Sequence, residues 1–235
     1  MVGWNKRRTW EKVFVRGSGS SFCIFLDKQQ IKTPLGNLLC VPTKKLAYAL
    51  ASEWKAQKNE IVFNDMGLNK LVNSSLDQVK GSRLSVIDSL LEYGDTDLLC
   101  YRAEEPPDLR LLQVKQWGPV LDWLQTNLGI NLEVFFGVRY VPQRKNQLQR
   151  FEAVLASYSH YELAALRELV TISGSLVLAL ALKSRALGFK DAWNKAVLEE
   201  TWQMKKWGKD QESLDRLQKR RYDFKVAHDF LTLLG

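Results

Sequence analysis

The run from Tyr161 to Leu182, YELAALRELVTISGSLVLALAL, is the most apolar stretch of this 235-residue chain. Its first half carries Glu162, Arg167 and Glu168, and its second half carries no charge. A helix that is apolar all round must be buried on every side or lie in a membrane. The uncharged part, 169–182, is shorter than the roughly 20 residues a bilayer span requires. The run is therefore expected to be one central helix of a helical domain. Ser173, Gly174 and Ser175 in its middle would let neighbouring helices approach closely. Glu168 then enters a mostly apolar helix, where a carboxylate needs a partner or a reason.

The rest of the chain divides by its periodicity. Trp10–Val15, Phe22–Leu26, Ile31–Thr33 and Leu38–Val41 are short, aromatic and β-branched, and Gly, Ser, Asp and Asn clusters separate them. That pattern predicts an antiparallel meander. The Gly17–Ser21 run is not a phosphate loop, because no Gly-Lys-Ser/Thr follows it. Thr43 is placed to cap a helix whose apolar side is Leu46, Ala49, Leu50 and Trp54. Helical spacing recurs at Leu68, Leu71, Val72, Leu76 and Val79, after Ser82 and after Pro107, with Pro119 inside the long helix that follows. Asn131–Val138 reads as a strand, and the chain is helical from Gln147 onward. Phe189 to Trp207 reads as one helix, stopped by Gly208. The expected class is α+β: a small antiparallel β-rich domain with two or three helices over 1–105, then a helical domain over 106–235. The strand at 131–138 is free to pack with the first domain.

Three cysteines, Cys23, Cys40 and Cys100, are an odd number with no C-x-x-C pair. This argues against a disulfide framework and a zinc site, and fits a reducing compartment. Two histidines and no H-E-x-x-H leave little for histidine metal chemistry. No metal and no cofactor are expected. The net charge of +8 allows an anionic partner. The dense basic cluster, Lys219 to Arg221 with Lys205, Lys206 and Lys209, reads as a solvated helix face. No secretory signal is visible in the start through Lys6 to Arg8.

Two constellations could carry chemistry. Asp95 and Asp97 form a D-x-D pair, which could converge on a hard cation. After Gly94 they more simply bond their own turn. Glu200 falls between Val197 and Met204 on an apolar helix face. It would act as a general acid or base with Glu168, pair with an arginine, or receive a partner's polar group. Trp202 and Trp207 are five residues apart and should face different sides, leaving at least one exposed as an interface anchor.

Several stretches in order, LDKQQIKTPLGNLLCVPT (26–43), EWKAQ (53–57), NSSLD (73–77), DTDLLCYRAEEP (95–106), the W-x-P-x-L-x-W run (117–123) and LEETWQMKKWG (198–208), resemble the assembly chaperones of the F-type ATP synthase head. The similarity is to the branch that holds the free alpha subunit, in mitochondria and alphaproteobacteria. The resemblance covers about residues 10–232. It implies a β-rich N-terminal and a helical C-terminal domain, no catalysis, and a partner in the ATP synthase alpha subunit. No nucleic acid, no stable membrane insertion and a monomer when free are also expected. Carried over by motif, the partner-binding residues are Glu168, Glu199 or Glu200, Trp202, Gln203, Trp207 and Trp54. Asp27-Lys28-Gln29 departs from the family's usual Asp-Gly-Arg turn. The regular SGSLVLALAL run favours a bacterial source and hence the cytoplasm, with the mitochondrial matrix the alternative if a presequence was removed. The rivals are a small carboxylate-dependent enzyme and a binder of nucleic acid.

Overall fold

The computed structural model describes residues 7–208 and 210–235. The basic start through Lys6, and Lys209 of the basic cluster, lie outside them. The chain forms two compact units. One comprises the chain to Arg83 with His160–Ala165 and Asp229–Gly235; the other comprises Leu84–Ser159 and Leu166–His228.

In the first unit, β1 (Val13–Ser18) and β2 (Ser21–Leu26) form a hairpin in which Ser18 faces Ser21, so Gly19 and Ser20 alone make the turn. β2 also pairs antiparallel with β3 (Gln29–Gln30) and β4 (Cys40–Val41). The expected antiparallel sheet is present, but β1 is displaced along the chain, the third strand falls on Gln29–Gln30 instead of Ile31–Thr33, and β4 returns to β2 instead of pairing with β3, so the strands do not form a simple meander. Trp10 precedes β1 and packs edge-on against Trp54, ring centroids 5.4 Å apart. Asp27 takes a positive φ of 51°, and its carboxylate accepts the Glu11 and Lys12 backbone N–H groups. The aspartate of the departing turn thus holds the chain that enters β1.

One expectation from the cysteines is overturned. Cys23 and Cys40 face each other across β2 and β4, with Cα atoms 4.0 Å apart, and are joined in a disulfide. Their pairing follows from strand register, which a count and a spacing do not encode. Cys100 is a buried free thiol, and burial pushes its pKa up.

Helix α1 (Lys44–Ala56) packs on this sheet, burying Leu46, Ala47, Leu50, Ala51 and Trp54. Thr43 caps it as its sequence predicts: its hydroxyl oxygen accepts the Leu46 N–H at 3.2 Å. α2 (Gly67–Ser74) follows and continues into a π-helical turn at Ser75–Val79. Two carboxylates tie these pieces together. Glu53 accepts the Leu68 and Asn69 backbone N–H groups and the Asn69 side-chain amide. Asp77 accepts from Thr33, the Leu35 N–H and Asn37, closing the 33–37 turn onto the π-turn.

The second unit contains α3 (Arg83–Asp95) from Leu84 onward, β5 (Tyr101–Arg102), α4 (Pro107–Leu128), β6 (Phe135–Phe136) and α5 (Lys145–Ala156). It continues with α6 (His160–Ser173) from Leu166, α7 (Leu176–Lys183), α8 (Phe189–Ala196), α9 (Leu198–Trp207) and α10 (Gln211–Leu234) to His228. The strand expected over 131–138 shrinks to two residues. These pair in parallel with β5, Tyr101 facing Phe135 and Arg102 facing Phe136.

The central run is two helices, not one. Gly174 adopts φ +72° between α6 and α7, a conformation that costs a residue with a Cβ. Ser175 then caps α7, accepting the Leu178 N–H at 3.0 Å. From Leu176 to Leu182 every α7 side chain is buried. The small residues that suggested close helix approach are a hinge and a cap. Asp97 sits at this α7 N-terminus, accepting the Ser175 hydroxyl at 2.7 Å and the Val177 N–H at 3.0 Å. It also accepts the Leu99 N–H. A carboxylate there meets the positive end of the helix dipole. Among the described residues, no helix is long and apolar enough to cross a membrane.

Candidate functional site

The single helix expected from Phe189 to Trp207 also breaks. Val197, at φ −109° and ψ 23°, separates α8 from α9. The apolar spacing continues through the break, which hid it. Trp193 packs in α8 against Phe224 of α10, with centroids 5.6 Å apart. α9 then starts afresh, with Glu199 and Glu200 in its first turn and Lys205 and Lys206 in its last. That arrangement complements the helix dipole at both ends.

The two carboxylates have different surroundings. Glu199 accepts a 2.5 Å hydrogen bond from the side-chain amide of buried Gln113 on α4. Burial raises its pKa, and neighbouring Glu200 adds to the rise. Glu200 takes the arginine alternative. Both its oxygens lie on Nη1 of Arg220 in α10, at 2.8 and 2.9 Å, while Nη2 donates to the Ile172 carbonyl at 3.1 Å. The pair is half-exposed. It therefore contributes only about 0–1 kcal/mol to stability.

Glu199, Glu200 and Arg220 line a cavity of about 270 Å³ whose walls include Trp117, Ile172 and Ala196. Two carboxylates and one guanidinium leave this cavity one negative charge in excess when all three are ionised. Glu168 is not in its lining. It is half-buried on α6, one turn before Thr171 and Ile172, and makes no hydrogen bond or ion pair among the described residues.

Further along α9, Trp202 and Trp207 meet edge to face, with centroids 5.7 Å apart. Their spacing puts the Cβ atoms on different sides, yet side chains this long close the gap at the helix end. Trp202 is half-buried and donates its indole N–H to Asp108 on α4 at 3.3 Å. Lys206 holds the same carboxylate at 3.0 Å and lies over the Trp202 ring. The Lys206 hydrogen bond draws the Asp108 pKa down. Trp207 is 75% exposed, and Gln203 is exposed beside it.

Trp54 belongs elsewhere. It is 4% exposed in the first unit and donates its indole N–H to buried Asn69 at 2.7 Å. The E-W pair at 53–54 thus clamps α2, and Trp54 lines an apolar cavity of about 220 Å³ with Ile31, Leu39 and Met66. Asp95 and Asp97 do not converge on a common point. Asp95 accepts from the Tyr140 hydroxyl and the Gln143 N–H, and Asp97 caps α7. No group of three or more His, Cys, Asp or Glu among the described residues is placed to hold a metal ion. Gln113, Arg220 and the Ile172 carbonyl escape sequence reasoning. Only the charge of Glu200 on an apolar face hinted that a cation would meet it.

The family model described as ATP12 chaperone protein matches residues 7–125. The curated mitochondrial protein atp12 of Schizosaccharomyces pombe is 25% identical over 86% of this chain and 74% of its own length. The crystal structure of Atp12 from Paracoccus denitrificans superimposes with a TM-score of 0.94 at 33% identity, over 99% of this chain and 100% of the other. The Atu1473 protein of Agrobacterium tumefaciens, titled a putative chaperone, also gives 0.94, at 34% identity over 97% and 86% of the two chains. The family model ends before α6, whereas the structural matches run through α9 and α10. The chain belongs to the ATP12 chaperone family, the ATP synthase assembly chaperones that its motifs resemble.

Proposed function

We propose that this protein is a binding chaperone, without catalysis, for the free alpha subunit of the F-type ATP synthase head. It would hold that subunit through the α9 face, shielding an apolar surface until the beta subunit takes its place. The observation that carries this reading is the Trp202–Trp207 pair beside the Glu199–Glu200–Arg220 cavity. Aromatics supply contact area, and charges at the rim supply register and reversibility. A holding chaperone needs both, because its client must leave again. Glu168, one helical turn from the cavity wall, is proposed to contact the same client. The enzyme reading gains little. The cavity collects Glu199 and Glu200 without Glu168, and each oxygen of Asp95 and Asp97 is engaged by a structural donor.

The test is capture of recombinant alpha subunit by the tagged chain, with Glu200→Lys alongside. The wild type is expected to retain the subunit and suppress its aggregation. Glu200→Lys should lose retention while keeping its helical circular dichroism, because the ion pair it breaks is half-exposed. An unfolded Glu200→Lys variant would make Glu200 structural. A wild type that retains no alpha subunit would sink the client assignment.

A further inference from the structure

Among the described residues, two ionisable side chains of the Asp, Glu, Lys and Arg kind are buried: Asp97 and Arg102. Asp97 has three donors on its two oxygens. Arg102 is the opposite case. It is 7% exposed, its Nε is buried with no acceptor, and its guanidinium makes no hydrogen bond or ion pair among the described residues. Burial lowers its pKa; Asp122 favours its charged form without pairing with it. A guanidinium whose Nε is shut off from water without an acceptor gains from any anion that meets it.

The surroundings say what the anion would belong to. Arg102 faces Phe136 across the parallel β5–β6 pair, so the two side chains share one face of that sheet. Phe136 is 49% exposed, and Val138, two residues on, is fully exposed. Gly137, at φ +86°, donates its N–H to the Arg102 carbonyl at 2.8 Å and holds this corner in register. The sheet has two strands, so the outer edge of β6 has no strand partner. An apolar patch, an open strand edge and an unsatisfied guanidinium meet at one corner of the second unit. Open edges of this kind recruit extended polypeptide.

We propose that the β5–β6 corner is a second docking point, taking an extended client segment that sets an Asp or Glu carboxylate on Arg102 and an apolar side chain over Phe136 and Val138. This rests on the reading that the protein holds a polypeptide client. A carboxylate arriving here would gain a charge-assisted bond in a desolvated place, where such bonds count most.

The experiment measures the affinity of the full chain for recombinant ATP synthase alpha subunit and the melting temperature of each variant. Arg102→Met should melt no lower than the wild type, because it removes an unpaired buried charge. It should bind the subunit at least about thirtyfold more weakly. Val138→Asp, at a fully exposed position, should leave melting unchanged and weaken capture about tenfold by repelling the incoming carboxylate. Phe136→Ser should weaken capture as well. Wild-type affinity in all three variants overturns this proposal and leaves the client assignment standing. A lower melting temperature in Arg102→Met, with wild-type capture by Phe136→Ser and Val138→Asp, makes Arg102 structural and also overturns it. A wild type that captures no alpha subunit removes both readings together.

Discussion

Asp97 shows how one side chain can carry a fold while looking like chemistry. Burial raises its pKa from 3.8 to about 6, against the pull of the Val177, Leu99 and Ser175 donors. A carboxyl whose folded pKa lies above its unfolded value binds its proton more tightly in the native state. Its favourable contribution is therefore complete below about pH 4 and is lost as pH rises through about 6. A shift of this size corresponds to about 3 kcal/mol. Denaturant unfolding between pH 4 and 7 should show a fall in stability of that order from this group, and Asp97→Asn should flatten it. The same slope in Asp97→Asn would assign the effect elsewhere. From the sequence, D-x-D after Gly94 was readable as turn chemistry. That the second aspartate caps a helix nearly 80 residues away was not readable, because it depends on where α7 begins.

At the scale of the element, the break at Gly174 can be weighed directly. A Cβ built there would meet only Leu98 Cβ, at 3.8 Å, an ordinary contact. The cost of Gly174→Ala is therefore conformational, about 1–2 kcal/mol for a left-handed residue with a side chain. Thermal melts should show that loss with little change in helical signal. An unchanged melting temperature would mean that the hinge is not fixed in this conformation. This break and the one at Val197 mark where periodicity misleads. Both apolar patterns run on through the interruption, since α6 with α7, and α8 with α9, bury residues on each side of it. Thr43 was legible because its capping partner lies three residues away. The β2–β4 register that joins Cys23 to Cys40, and the Glu200–Arg220 pair, link residues 17 and 20 positions apart. Those separations carry no local signal. The candidate site was legible only as misfits, carboxylates and a surplus of tryptophans, and its cation and floor came with the fold.

For the molecule as a whole, two tryptophans in matched motifs separate what folds it from what it is proposed to do. Trp54 fills the first unit, touches Trp10 and donates to Asn69 in the interior. Trp54→Phe removes that donor and leaves the buried Asn69 oxygen without it, a loss of about 1–3 kcal/mol. Client retention should survive, because Trp54 is almost wholly buried and is not part of α9. Trp207 is the converse. Its ring rests on Trp202 and on solvent. Trp207→Ala should move stability by no more than about 0.5 kcal/mol, as surface changes usually do. If the α9 face holds the client, the same change should weaken capture of the alpha subunit by a factor of about thirty or more, the loss of about 2 kcal/mol or greater expected for a central aromatic anchor. Melting temperature and capture, measured on both variants, then form a two-by-two comparison. A Trp207→Ala protein that captures its client as well as the wild type would move the docking face away from α9, whatever the stability of Trp54→Phe.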